Sequence, residues 1–150
     1  MRDAIGNFMT APVHTIGVQE PLAQAHELMN RYAVRHLPVL EGGKLVGMLS
    51  QRDLHLIETL KDVDPEVVTV EEAMNQDVFK VGPDTPLEDV ARQMAEHKYG
   101  SAVVIRDDRH VLGIFTSTDA LRVLGGMVDG EARTERVTPA VEAVGQHPVG

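Results

Sequence analysis

The chain has 150 residues, enough for a substantial core, although either half alone would be near the size at which a lone domain is marginal. It carries 23 acidic against 14 basic side chains, a formal net charge of −9, which argues against a nucleic-acid surface built on clustered Lys and Arg. It has no cysteine, so disulfide and thiolate chemistry are excluded and a reducing compartment is a natural setting. Residues 1–7 lack the apolar stretch of a signal peptide and no run approaches membrane-spanning length. The expectation is a cytoplasmic protein with neither a membrane nor a nucleic-acid partner.

In chain order, Asp3 to Phe8 forms a short lead-in to an extended piece, Val13 to Ile16. Glu20-Pro21 then marks a helix with Pro at its first position, where the missing N–H costs nothing. Leu22, Ala25, Leu28, Met29 and Tyr32 recur at helical spacing. His36 to Leu40 and Leu45 to Leu49 are short apolar runs around turn residues, and they predict a hairpin. A second helix follows through Leu54, Ile57 and Leu60. Glu58 to Asp64 is charged and ends at Asp64-Pro65, a helix end and crossover; Val70 to Met74 predicts a short helix.

The order then repeats. Val78 to Val81 is extended, and Thr85-Pro86-Leu87-Glu88 reads as a capping box opening a helix with Leu87, Val90, Ala91, Met94 and Ala95 on one face. Ala102 to Ile105 and Val111 to Phe115 predict a second hairpin, followed by a helix through Leu121, Val123 and Leu124. Residues 130–150, rich in Gly, Glu, Arg, Thr and Pro, predict a mobile or weakly helical tail.

A shift of 65 residues superposes Met9 on Met74, Val13 on Val78, Gly17 on Gly82, Pro21 on Pro86, Met29 on Met94 and Val39 on Val104. From Gly47 on Gly113 the shift is 66, so one residue was added, and a hairpin turn is the expected place. The period is too long for a solenoid, and two copies of one β-α-β-β-α unit describe the chain better. Each is of marginal size for a lone domain, so the two halves are expected to pack together.

Two stretches inside the repeats carry chemistry. Gly47-Met48-Leu49-Ser50-Gln51-Arg52-Asp53 and Gly113-Ile114-Phe115-Thr116-Ser117-Thr118-Asp119 share the form Gly-apolar-apolar-hydroxyl-x-x-Asp at a strand-to-helix junction. Either one, read singly, is as readily a pair of helix caps as a ligand site. At a helix N-terminus the same groups can also meet a phosphorylated ligand. The seven histidines show no metal-ligand spacing, and neither a nucleophile elbow nor a phosphate-binding Gly-rich loop is present.

With Val34-Arg35-His36-Leu37-Pro38-Val39 beside the doubled motif, residues 9–124 resemble a cystathionine-β-synthase (CBS) domain pair, also called a Bateman module. The resemblance implies an α+β sandwich of tandem domains related by a pseudo-twofold axis: residues 9–60 and 74–125, a linker at 61–73 and a tail at 126–150. It implies no enzyme activity and no obligatory cofactor, and the histidine spacing with no Cys argues against a structural metal. The expected regulatory ligand is adenosine-containing (AMP, ADP, ATP or S-adenosylmethionine, sometimes NAD), with Mg²⁺ beside a bound ATP left open. A homodimer and a downstream protein partner are also implied.

Carried onto this chain, the resemblance makes Asp53 and Asp119 acceptors for ribose hydroxyls and brings Ser50 and Thr116 to the ribose-phosphate. Ile16, His36, Leu37, Pro38, Val78, Ser101 and Ala102, at the strand openings, would line a slot for adenine, with backbone groups reading the base edge. Arg35, His36 and Arg52 flank the first motif; Tyr99, Gly100, Ser101 and Thr118 stand at the matching places of the second. The first site is therefore expected to favour a polyphosphate and the second adenosine, AMP or another weakly charged ligand. A dimerisation module with vestigial sites and an enzyme acting on an adenosyl metabolite remain as alternatives.

Overall fold

The computed structural model describes residues 3–60 and 63–132. Two three-stranded sheets carry the chain, in the orders β1-β2-β3 and β4-β5-β6. The first half comprises β1 (Ile16–Gly17), α1 (Leu22–Tyr32), β2 (His36–Glu41), β3 (Lys44–Ser50) and α2 (Gln51–Leu60), followed by the short α3 (Val70–Ala73). The second comprises β4 (Lys80–Val81), α4 (Leu87–His97), β5 (Ser101–Asp107), β6 (His110–Thr116) and α5 (Ser117–Ala132). In each sheet the short first strand runs parallel to the second, across a helix, and the second and third form an antiparallel hairpin. The expected strands at 13–16 and 78–81 shrink to two residues each, while α5 passes through Gly125-Gly126 into the region read as tail. Residues 133–150 of that tail lie outside the described residues.

Each half has its own core. Leu22, Ala25 and Met29 of α1 pack on Leu37, Val39, Leu49 and Leu54; Val90 and Met94 of α4 pack on Ala102, Val104 and Phe115. A third cluster joins the halves, with Leu45 and Met48 of one sheet against Val103 and Ile114 of the other. The hairpin tips meet as well: Arg109 Nη1 donates to the Gly42 carbonyl at 3.1 Å, and Leu45 N–H to the Asp108 carbonyl at 2.8 Å.

The halves do not follow the linear boundaries 9–60 and 74–125. Ile5, Phe8 and Met9 pack in the second core, and Val70, Ala73 and Met74 in the first. Backbone bonds fix both placements. Thr10 exchanges two hydrogen bonds with Ile114 of β6 (2.8 and 3.0 Å), as Asn75 does with Met48 of β3 (both 2.9 Å).

The same crossover moves the helix caps. Leu22 N–H donates to the Val68 carbonyl at 2.9 Å and Leu87 N–H to the Asp3 carbonyl at 2.8 Å. The first helical residue must therefore keep its N–H, and Pro21 and Pro86 stand one residue earlier, in extended backbone, as the capping residues. Pro86 thus replaces Thr85 as the cap of α4, and the capping box forms instead between Thr69 and Glu72, at α3.

The inserted residue is also displaced from its expected place. Both hairpins turn in two residues, since Glu41 pairs with Lys44 and Asp107 with His110. Gly42 and Gly43 take positive φ in the first turn; Asp108 and Arg109 do not in the second. The added residue is Arg106, a second irregularity in β5 that β2 lacks. A bulge supplies the local twist that a turn without positive φ does not.

The Gly that opens each motif has a packing role. A Cβ on Gly47 would come within 2.5 Å of Met74 Sδ and 3.1 Å of the Asn75 carbonyl. A Cβ on Gly113 would come within 2.6 Å of Met9 Sδ and 2.8 Å of the Thr10 carbonyl. Gly47→Ala and Gly113→Ala should each cost about 1–3 kcal/mol in urea unfolding through this overpacking. Gly125→Ala, where nothing lies within 4 Å, should be neutral or slightly stabilising.

Candidate nucleotide clefts

Both motifs fold alike. Ser50 and Thr116 end a strand, and Asp53 and Asp119 lie in the first turn of the following helix. Asp53 N–H donates to Ser50 Oγ at 3.1 Å, and Ser50 N–H donates back to Asp53 Oδ2 at 2.9 Å. Asp119 N–H donates to Thr116 Oγ1 at 3.2 Å, and Thr116 N–H to Asp119 Oδ2 at 2.9 Å. These are complete capping boxes, so the cap reading of each motif holds, and it accounts for one carboxylate oxygen of each Asp.

The strand openings stand beside the motifs. His36 is in register with Ser50, and Ser101 with Thr116. The Arg35 carbonyl accepts Gln51 N–H at 2.9 Å, and the Gly100 carbonyl accepts Ser117 N–H at 3.1 Å, which ties each opening to its helix start. His36 also bridges the halves: its Nε2 lies 3.2 Å from where a Cβ on Gly100 would sit. The structure thus brings together Arg35, His36, Ser50 and Asp53 with Gly100 and Ser101.

Other predicted residues play different parts. Leu37, Ile16 and Ala102 give their side chains to the cores and Pro38 is buried as well, which leaves backbone as their means of touching a ligand. Val78 joins the cluster between the halves. Tyr99 stacks on Phe79 and His97, with ring centroids 4.8 and 5.2 Å apart, and packs on the second core. Arg52 and Thr118 are exposed on the first turns of α2 and α5.

Two residues absent from the sequence reading complete the second motif. Thr10 Oγ1 donates to Asp119 Oδ1 at 3.1 Å, and Arg122 Nη1 to the same oxygen at 2.9 Å. Thr10 follows Met9 just as Asn75 follows Met74, so the repeat register marks the position, but nothing in it says that the segment crosses to the other half.

Two hollows among the described residues lie away from the motif carboxylates. One of about 410 Å³ runs between Asp3, Phe8, Leu87 and the Arg122–Met127 stretch of α5; the other, about 360 Å³, sits at Gly17–Glu20 and Leu40–Gly42. Neither is lined by Ser50, Asp53, Thr116 or Asp119. Hydrogen-bonding capacity, rather than depth, marks the motifs as candidate sites. No group of three or more His, Cys, Asp or Glu that could hold a metal occurs among the described residues, and no helix there is long and apolar enough to cross a membrane.

A family model of the CBS domain matches residues 5–56 and again 70–126. The chain belongs to the CBS domain family. Among solved structures, a putative acetoin utilization protein (AcuB) from Vibrio cholerae superposes with a TM-score of 0.77 at 28% identity, over 91% of this chain and all (100%) of that one. The CBS domain pair of protein MJ0100, solved in complex with 5′-methylthioadenosine and S-adenosyl-L-methionine, superposes with a TM-score of 0.74 at 28% identity, over 85% of this chain and 99% of that one. An L-aspartate semialdehyde sulfurtransferase from Methanocaldococcus jannaschii is 29% identical over 81% of this chain, which spans only 23% of that enzyme. The CBS pair is thus a part of larger relatives as well as a unit solved by itself.

His36 links this site to pH. Burial, reinforced by the neighbouring Arg35 cation and opposed by Asp53, pushes its imidazole below the ordinary value. The folded state therefore favours neutral His36, and the unfolded chain takes up the proton first as pH falls through about 6.5. Stability carried by this group is present above that pH and lost below it. Urea unfolding between pH 7 and pH 5 should show the loss, and His36→Gln should flatten it.

Proposed function

We propose that this chain is a non-enzymatic regulatory module that binds an adenosine-containing ligand, an adenine nucleotide or S-adenosylmethionine, and responds by a change of conformation or partner affinity. The observation that carries the reading is the repeated Asp in a helical first turn, at a helix N-terminus, beside a hydroxyl and a strand opening. A carboxylate matches a vicinal diol, and the helix start supplies N–H groups and a positive dipole end for phosphate. The adenosyl ligands of the MJ0100 pair support the class of ligand. A ligand shifts such an equilibrium only by its differential affinity for the two states, and residues shared between halves, such as His36 against Gly100, are the contacts through which that difference would act.

A thermal-shift panel of AMP, ADP, ATP, S-adenosylmethionine and 5′-methylthioadenosine tests the proposal. At about one hundred times Kd a ligand adds about 2.7 kcal/mol, several degrees for a domain of this size. No shift with any of them would leave the dimerisation reading, and turnover of the ligand on incubation would favour an enzyme. Arg52, exposed beside the first motif, is the cation proposed to favour polyphosphate there. Arg52→Ala should weaken ATP by about tenfold and AMP by less in calorimetric titration; unchanged ATP affinity would remove that role.

A second copy of the chain is the proposed first partner. Leu56 and Leu60 on α2 and Leu121, Leu124 and Met127 on α5 expose large apolar side chains directly after the two motifs. Light scattering after size exclusion should report a dimer, and the pair Leu121→Glu with Leu124→Glu should give a monomer.

A further inference from the structure

We infer that the two clefts are unequal: Asp53 accepts the first ribosyl ligand, while in the cleft of Asp119 the Thr10 hydroxyl, with Arg122, stands where a ligand diol would bind. The inference rests on the reading that a motif carboxylate grips a diol, and it comes from counting acceptor positions.

An ionised carboxylate offers about four lone-pair positions. At Asp119 four donors fill them. Thr116 N–H and Thr116 Oγ1 reach Oδ2 at 2.9 and 3.1 Å, and Thr10 Oγ1 and Arg122 Nη1 reach Oδ1 at 3.1 and 2.9 Å. At Asp53 the structure places one donor, Ser50 N–H on Oδ2 at 2.9 Å, and Oδ1 accepts no hydrogen bond among the described residues. Exposure agrees, since Asp119 is only 6% exposed and Asp53 is half-buried.

The difference lies at two matched positions. Thr10 corresponds to Asn75, whose Oδ1 accepts Asp77 N–H at 2.8 Å in its own local turn. Arg122 corresponds to Leu56, an exposed aliphatic side chain with nothing to donate. The N–H capping bonds are common to both halves; the halves differ in the two donors on Asp119 Oδ1 and in the Thr116 hydroxyl that also reaches Oδ2.

The two occupants of Asp119 are not alike. Arg122 is 73% exposed although the carboxylate it meets is buried, so its guanidinium can swing into water once a ligand donor takes over its hydrogen bond. Thr10 is held by its backbone bridge to Ile114, so its hydroxyl is presented to the carboxylate by the fold. A diol must break the Thr10 bond to enter, and Thr10 thereby sets the order in which the clefts fill.

Calorimetric titration of the full chain with S-adenosylmethionine and with AMP tests this, using Thr10→Val, Thr10→Ser and Asp53→Asn, each checked for folding by circular dichroism. The wild type should take up about one equivalent tightly, and Asp53→Asn should abolish that event. Thr10→Val should strengthen a second event by about tenfold, the weight of one hydrogen bond to a charged group. Thr10→Ser should keep the wild-type isotherm, and adding Asp119→Asn to Thr10→Val should remove the second event. Two equal equivalents in the wild type, tight binding that survives Asp53→Asn, or a Thr10→Val that fails to strengthen the second event would each overturn the inference while leaving the adenosyl reading intact. No binding of either ligand to the wild type would overturn both.

Discussion

The structure depends on a close approach repeated twice: a Met sulfur and a backbone carbonyl lying against a glycine in the last strand of each sheet. Met74 and Asn75 lie on Gly47, and Met9 and Thr10 on Gly113. From that contact follow the backbone bridges to Met48 and Ile114, the donation of Leu22 and Leu87 N–H to the lead-in segments, and the placement of both prolines as caps. Small domains lack surface to bury, and here each core is completed by a segment that a linear reading assigns to the other half. The glycine that looks like the first letter of a ligand motif is thus first of all a packing device. Ligand chemistry begins three residues later.

Much of the architecture was legible because helix and strand periods differ and because each signal occurred twice. The face Leu22, Ala25, Met29 and the run Leu37 to Leu40 read correctly, as did their counterparts in the second half. What could not be read was which half each lead-in joins. Met9 and Met74 are the same residue at the same repeat position, so their sequence supports either pairing equally; only long-range backbone bonding decides it. The inserted residue misled for a related reason. Turns are the usual place for an insertion, yet Asp108-Arg109 turns in two residues like Gly42-Gly43, and the extra residue passes into the strand as a bulge.

The candidate site divides along the same line. Local chemistry, a hydroxyl three residues before an acid, identified Ser50, Asp53, Thr116 and Asp119 because a capping box is encoded within one helical turn. Thr10 escaped because its bond to Asp119 spans 109 residues. Arg122 lies one turn beyond Asp119, yet an i,i+3 pair on a helix surface is too common to signal a site without the burial of its partner. The expected charge asymmetry, with Arg35 and Arg52 on the first copy, is partly met by Arg122 on the second, and the clearer difference lies in the carboxylates themselves: Asp119 accepts four donors where Asp53 accepts one.

The crossing of the lead-in segments also bears on the order in which the chain can assemble. As the polypeptide is made, residues 16–75 contain everything the first core uses, including the α3 segment that seals it. The stretch from Ile5 to Thr10 is made before any of this, and its docking surface on α4 and β6 is made long after. Domains generally fold from the N-terminus as they emerge. Here Ile5, Phe8 and Met9 are made well before α4, β5 and β6, so the second core can be completed only when both ends of that span are present.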